Sequence, residues 1–214
     1  MSVPETVAQH HEFMALVQAI LDGDTGAAHA LLSASPKLAS SQAPVGATRQ
    51  AAREYYLDAI SHYLYAGDTA LHIAAAAYQE AIALELIARG ANVRAKNRRG
   101  AEPLHYAADG MPSSRTWNPT AQAAIIRCLL EAGAEPNCAD RRGATPLHRA
   151  VRTRCASAVR ALLEGGADAR LTNKSGSTPI KLAGQSTGRG GVGTAAAKEQ
   201  QQEIFQLLQE CGAN

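Results

Sequence analysis

The segment Gly143-Ala-Thr-Pro-Leu-His148 has three relatives elsewhere in the chain. They are Gly67-Asp-Thr-Ala-Leu-His72, Gly100-Ala-Glu-Pro-Leu-His105 and Gly176-Ser-Thr-Pro-Ile-Lys181. The interval from Gly67 to Gly100 and that from Gly143 to Gly176 are both 33 residues, whereas Gly100 and Gly143 are 43 residues apart. A fixed period of this length indicates a repeat protein in which one copy carries an insertion.

A second marker recurs in step with this hexapeptide. Each copy ends in a pair of apolar residues followed by Gly-Ala, as in Leu162-Leu-Glu-Gly-Gly-Ala167. Thr145 is placed to cap a helix that begins at Pro146, where the missing N–H costs no hydrogen bond. The glycine after the apolar pair is placed to end a second helix in the left-handed conformation. Each repeat is therefore predicted to be a pair of helices.

The 33-residue period, with Gly-x-Thr-Pro-Leu-His and a later Leu-Leu-x-x-Gly-Ala, resembles the ankyrin repeat over about residues 64–214. The resemblance implies an all-α fold, a solenoid of stacked helix pairs with a β-hairpin finger between successive repeats. It implies that one histidine per repeat hydrogen-bonds to finger backbone, namely His72, His105 and His148. Three residues stand where the fingers turn, namely Asn97, Asp140 and Asn173.

The repeats predict the organisation of the whole chain. We expect a single ankyrin-repeat domain over residues 1–214. Its repeats are expected at 64–96, 97–139, 140–172 and 173–214. Residues 11–39 lack the hexapeptide but have the pattern of two short helices around Gly23-Asp24. They are interpreted as a degenerate N-terminal repeat, since the end units of an array must face water.

Three insertions interrupt the predicted array, at about 40–63, 110–120 and 184–199. In the first insertion, apolar residues recur at helical spacing and predict an extra helix, namely Ala52, Tyr56, Ile60 and Tyr63. This helix either docks its apolar face on the array or presents tyrosines to a partner, a residue type enriched in binding sites. The sequence leaves both possibilities open, and it does not say whether any of the insertions binds a ligand.

The composition excludes several classes of protein. A net charge of +2 and a pI near 8.4 are too balanced to indicate nucleic acid or a membrane surface by themselves. The N-terminus lacks a secretory pattern, and no apolar run is long enough to span a bilayer. The four cysteines form no Cys-x-x-Cys pair. We expect a cytoplasmic protein that acts as a monomer, without membrane attachment.

No pattern in the sequence indicates catalysis, so we expect no enzyme, no cofactor and no metal site. Histidines one repeat apart cannot share a zinc ion, because Zn–N distances are about 2 Å. The segment Gly188-Arg-Gly-Gly-Val-Gly193 matches a dinucleotide-binding loop, but no strand precedes it. No serine or cysteine is grouped with a histidine and an acid in the way that nucleophilic catalysis requires.

The resemblance also implies that partners bind to finger tips and to exposed positions of the inner helices, which line a concave surface. The residues predicted to bind a partner are Tyr65, Arg98, Arg99, Tyr106, Arg141, Arg142, Arg149 and Arg152. Guanidinium groups suit carboxylates, so we predict a protein-binding scaffold or adaptor with an acidic partner. Two other functions are possible: nucleic-acid binding through the same arginines comes next, and an enzyme or the regulatory subunit of an enzyme comes last. The arginines could also form a solvated face that binds no ligand.

Overall fold

The structure is a computed structural model that describes residues 5–110, 112, 117–185 and 195–212. Its α-helices are α1 (Glu5–Asp22), α2 (Thr25–Ala34), α3 (Ala70–Ala76), α4 (Glu80–Ala88), α5 (Pro103–Ala108), α6 (Pro119–Glu131), α7 (Pro146–Thr153), α8 (Ala156–Glu164), α9 (Pro179–Ala183) and α10 (Ala195–Glu210). The strands are β1 (Tyr56–Leu57) and β2 (His62–Tyr63), which pair antiparallel. The predicted all-α class is therefore confirmed.

The chain divides into two compact units, Met1–Pro103 and Leu104–Asn214. In the first unit, α1 packs against α2 and α3, and α4 packs against α2 and α3. This unit thus contains two stacked helix pairs, with α1 and α3 in the inner layer. The first pair lies in the segment interpreted as a degenerate repeat, although α1 begins at Glu5 rather than near residue 11. Leu16, Ile20 and Leu71 are fully buried in this unit.

The second unit contains α6 to α10 and most of α5. The inner helices α7 and α9 pack against each other, and the outer helix α8 packs against both α6 and α10. Within each pair, α7 contacts α8 and α9 contacts α10. The helix pairs are thus stacked in two layers, as the ankyrin resemblance implies. No helix in the described part of the chain has both the length and the apolar character needed to cross a bilayer.

The hexapeptide begins the inner helices in the way that its residue types predict. Thr145 caps α7 by accepting a hydrogen bond from the His148 N–H, and Pro146 is the first helical residue. Thr178 caps α9 in the same way, accepting from the Lys181 N–H. Leu147 points into the core and is completely inaccessible to solvent. The repeated motif thus specifies both the start and the buried face of these helices.

A histidine at the same position of the motif joins each of three inner helices to the finger that follows it. The Nε2 atom of His72 lies 3.1 Å from the Ala101 carbonyl oxygen, that of His105 lies 3.0 Å from Ala144, and that of His148 lies 3.0 Å from Ser177. These contacts confirm the role that the resemblance implied for the three histidines. The fingers consequently have a defined position on the inner helices.

The first insertion does not contain the predicted helix. Residues 53–55 and 58–60 form short 3-10 helices. Strand β1 lies between these two helices, and β2 follows the second one. Tyr56 pairs with Tyr63 across this hairpin, and Leu57 pairs with His62. The helical expectation is wrong because aromatic and β-branched side chains at this spacing also suit a hairpin, where cross-strand pairing stabilises them.

The other two insertions lie largely outside the described residues. Of the insertion at 110–120 the structure describes residues 110, 112 and 117–120, and of that at 184–199 it describes 184, 185 and 195–199. The glycine-rich segment 188–193 is outside the described residues. In the part that is described, Trp117 donates a hydrogen bond from Nε1 to Gln122 at 2.9 Å. Gln122 in turn donates to the Ala107 carbonyl at 3.0 Å, so Trp117 is tied to α5 and α6.

Candidate partner-binding surfaces

Two finger tips carry pairs of arginines, one tip in each unit. In the first unit, the Asn97 side-chain oxygen accepts hydrogen bonds from the backbone N–H of Arg99 at 2.8 Å and of Ala101 at 3.1 Å. The Gly100 N–H closes the turn on the Asn97 carbonyl at 2.8 Å. Asparagine favours such turns because its side chain substitutes for a backbone acceptor. Arg98 and Arg99 are thereby held at the tip, where both are exposed.

Asp140 organises the equivalent tip of the second unit. Its carboxylate accepts from the N–H of Arg142 at 2.8 Å and of Ala144 at 3.1 Å. Gly143 has φ +73°, and a Cβ there would lie 2.9 Å from the backbone nitrogen of Lys174, so only glycine fits the turn. Arg141 and Arg142 are exposed, and no ion pair joins either of them to a described carboxylate.

The arginines of the first-unit tip lie on an aromatic ring. The guanidinium carbon of Arg98 is 5.3 Å from the Tyr65 ring centroid, and that of Arg99 is 4.9 Å from it. Arg99 also donates from Nη1 to the Tyr65 hydroxyl at 3.0 Å. Arg98 donates from Nη2 to the Ala47 carbonyl. The structure therefore brings together three of the residues predicted to bind a partner.

The hairpin of the first insertion extends this aromatic contact. The rings of Tyr56 and Tyr63 are 4.8 Å apart between centroids, and the Tyr63 ring is 6.3 Å from that of Tyr65. Tyr56 is 36% exposed and Tyr63 is 38% exposed. We call the continuous surface of Tyr56, Tyr63, Tyr65, Arg98 and Arg99 the tyrosine–arginine platform. It lies entirely within the first unit.

Arg149 does not occupy the exposed position that the sequence predicted. Its side chain is only 10% exposed, with Nη1 3.0 Å from an Asp109 oxygen and Nη2 3.0 Å from an Asp140 oxygen. Burial opposes its charge, but the two carboxylates outweigh burial and raise the pKa of Arg149. Burial would also raise the pKa of Asp140, yet the hydrogen bond and charge of Arg149 lower it overall. This arginine ties α7 to its finger and to the end of α5.

Tyr106 and Arg152 also differ from the expectation. Tyr106 is 2% exposed, and a core position on α5 explains why so large a ring faces inward. The Arg152 side chain is 37% exposed and lies with Nη2 3.5 Å from Asp109. Asp109 thus pairs with two arginines, Arg149 and Arg152, through contacts between different helices. Charge pairing of this kind has no signal in the local sequence.

Burial shifts the pKa values of several titratable groups in the second unit. Burial, with a smaller contribution from the Arg149 charge, lowers the pKa of His105 to about 3, and burial also lowers the pKa of His148. Burial raises the pKa of the Cys155 thiol to about 12. Cys128, Cys138 and Cys155 are buried thiols, whereas Cys211 is exposed. Neutral imidazoles and a protonated thiol suit packing rather than nucleophilic chemistry.

Cys138 compensates for a departure from the repeat motif. His72 and His148 each have the hydroxyl of the preceding threonine near Nδ1, at 2.9 Å for Thr69 and 2.8 Å for Thr145. Glu102 stands where that threonine would precede His105. The Cys138 Sγ atom instead lies 3.7 Å from His105 Nδ1.

In the described part of the chain, no group of three or more histidine, cysteine or acidic side chains is arranged to hold a metal ion.

Helix pairs in two layers, joined by finger loops that histidines fix in place, define a helical repeat protein. Two stretches of the chain match known family models: residues 66–98 match the Ankyrin repeat, and residues 129–183 match Ankyrin repeats (many copies). The chain therefore contains ankyrin repeats in these two stretches. A search of curated proteins finds no match to it. Ankyrin repeats generally mediate protein–protein interactions and typically serve as non-enzymatic scaffolds.

Proposed function

We propose that this protein is a monomeric binding scaffold that recognises an acidic surface of a partner protein through its arginine-bearing fingers. The observation that carries the proposal is the difference in charge compensation among its arginines. Arg149 is neutralised by two carboxylates within its own unit. The tip arginines have no such partner among the described residues, which leaves their charge available to a ligand.

The residues that act in this proposal are Tyr65, Arg98 and Arg99 in the first unit, and Arg141, Arg142 and Arg152 in the second. Arginine forks form paired hydrogen bonds with carboxylates, and finger turns held by Asn97 and Asp140 present them in a fixed direction. A fixed direction lowers the entropy that binding costs. We also propose a cytoplasmic location, because none of the four cysteines forms a disulfide, and reducing compartments keep cysteines in the thiol form.

Fluorescence anisotropy with three labelled probes tests the proposal. The probes are an alternating Glu-Ser octapeptide, its Gln-Ser counterpart and an oligothymidylate. We expect the acidic peptide to bind and to dissociate as salt is raised, because exposed charges are screened. The double variants R98E/R99E and R141E/R142E should each weaken this binding by about tenfold or more. The fold of each variant is checked by circular dichroism.

A matched pair of reversals controls for net charge. Arg127 on α6 and Arg170 are exposed, so R127E/R170E changes the total charge equally without altering a finger tip. Its affinity for the acidic peptide should equal that of the wild type within about twofold. Equal loss in the control would mean that only the overall charge attracts the peptide. Preferential binding of the oligothymidylate would replace the proposal with nucleic-acid recognition.

A further inference from the structure

The tyrosines of the first insertion are concentrated in a way that core packing does not explain. The chain has only six tyrosines, two phenylalanines and one tryptophan, yet four of the tyrosines are Tyr55, Tyr56, Tyr63 and Tyr65. Tyr56 and Tyr63 are among the few large hydrophobic side chains left exposed in the described part of the chain. Adjacent exposed aromatic rings are typical of interaction surfaces, where they supply contact area at a small entropic cost.

Backbone hydrogen bonds attach the platform to neighbouring segments of the first unit. The segment that follows the hairpin, residues 64–68, is joined to residues 43–47 by hydrogen bonds from the Ala47 N–H to the Leu64 carbonyl and from the Ala43 N–H to the Asp68 carbonyl, both at 2.7 Å. A Cβ at Gly46 would lie 2.5 Å from the backbone nitrogen of Ala66, so the backbones of residues 43–47 and 64–68 are in direct contact. The Arg98 N–H donates to the Ala66 carbonyl at 2.8 Å, which attaches the finger to the same segment.

The arginines of the platform keep hydrogen-bonding capacity for a ligand. Arg98 uses Nη2 for Ala47, and Arg99 uses Nη1 for the Tyr65 hydroxyl. The remaining guanidinium donors of both residues make no hydrogen bond or ion pair to the described residues. The cation–π contact with Tyr65 restrains each guanidinium group, so pairing with a carboxylate requires less further ordering.

Ring geometry favours a peptide over a nucleic acid on this surface. Base recognition requires an open aromatic face on which a base can stack. Both platform guanidinium groups lie over the Tyr65 ring, and Tyr56 and Tyr63 are tilted by 57° against each other at 4.8 Å. The ring faces used in these contacts are not open to a base, whereas the partly exposed Tyr56 and Tyr63 side chains can pack against an apolar side chain beside a carboxylate.

We propose that the tyrosine–arginine platform is the docking site for an extended acidic segment of a partner protein that carries apolar side chains next to its carboxylates. The carboxylates pair with Arg98 and Arg99, and the apolar side chains pack on Tyr56 and Tyr63. This inference rests on the proposed function and deepens it, because it makes the insertion hairpin, and not the finger alone, the determinant of which acidic partner binds.

Two labelled peptides of equal charge test the inference by fluorescence anisotropy on the full chain. One is the alternating Glu-Ser octapeptide, and in the other two internal serines are leucines. We expect wild-type protein to bind the leucine peptide about tenfold more tightly than the serine peptide. Y56S/Y63S should remove this difference and leave the affinity for the serine peptide unchanged. R98E/R99E should weaken the binding of both peptides.

Two further variants separate the aromatic contact from general effects. Y56F/Y63F keeps the rings and should keep the preference for leucine, which also guards against a variant that simply unfolds the hairpin. L84S removes an apolar side chain that is 52% exposed on α4 of the same unit, and it should change neither affinity.

The remaining outcomes overturn the inference in distinguishable ways. If Y56S/Y63S still prefers the leucine peptide as the wild type does, the platform inference fails while the proposed function stands. If the wild type binds neither peptide, both fail together. If Y56S/Y63S loses affinity for a labelled oligothymidylate and not for the leucine peptide, the rings act in nucleic-acid binding.

Discussion

Arg142 and Arg149 belong to the same repeat, yet their side chains have different surroundings. Arg142 is exposed at a finger tip, whereas the Arg149 guanidinium lies between the carboxylates of Asp109 and Asp140. The repeat register predicts where each backbone position lies, but it cannot show which cation has a carboxylate within reach. This explains why both arginines could be predicted to face a ligand, although only Arg142 is exposed.

The buried arginine leads to a prediction about stability. Arg149→Met should lower the free energy of unfolding by about 3–5 kcal/mol, because it removes the guanidinium group that pairs with two largely buried carboxylates. Arg142→Met should change it by less than about 0.5 kcal/mol, as is usual for exposed positions. Urea denaturation followed by circular dichroism measures both. A similar small effect for the two variants would mean that Arg149 does not hold α7, α5 and the finger together.

Single elements follow the sequence closely where the motif is present. Thr145, Pro146 and Leu147 correctly predict the cap, the first residue and the buried face of α7. The insertion has no motif, and the spacing of its tyrosines fits a helix as well as a hairpin. The cross-strand pairing of Tyr56 with Tyr63 selects the hairpin over the helix, and the spacing of the tyrosines does not show this pairing. The platform could therefore be predicted only in part, through Tyr65, Arg98 and Arg99.

The inner helix α7 offers a test of the register at the level of one element. Leu147→Ala should destabilise the protein by about 2–5 kcal/mol, since it removes buried surface and leaves a cavity. The exposed Leu84 on α4 is the matched control, and Leu84→Ala should cost less than about 1 kcal/mol. Both values come from urea unfolding curves. A loss below about half a kcal/mol for Leu147→Ala would contradict its place in the core.

At the scale of the whole molecule, the sequence predicts the arrangement of helix pairs and fingers better than any other property. The repeated motif predicts which histidines contact a finger, as at His148 and Ser177. A single domain over residues 1–214 stays a prediction. Properties that depend on side chains meeting across repeats, such as the partners of Asp109, could not be predicted because no local pattern encodes them.

The buried histidines make the stability of the molecule depend on pH. The pKa of His105 is lowered to about 3 and that of His148 is lowered as well, so below their ordinary value of 6.5 the unfolded chain binds more protons. The free energy of unfolding therefore keeps its full histidine contribution above about pH 6.5 and falls as the pH decreases, by roughly 1.4 kcal/mol per pH unit for His105, with a further loss from His148. The urea midpoint should fall between about pH 7 and about pH 4.5. A midpoint that stays constant or rises over this range would show that the imidazoles are charged in the native state.

The distribution of cysteines has a practical consequence for chemical labelling. Thiolates, and not thiols, react with maleimides, and a thiol with a pKa of about 12 such as Cys155 stays protonated near neutral pH. Cys128 and Cys138 are shielded by packing, which leaves Cys211 as the accessible nucleophile just after α10. A dye can thus be attached at one defined position of the wild-type sequence. Unlabelled peptides can then be compared on a single fluorescent protein without introducing a cysteine.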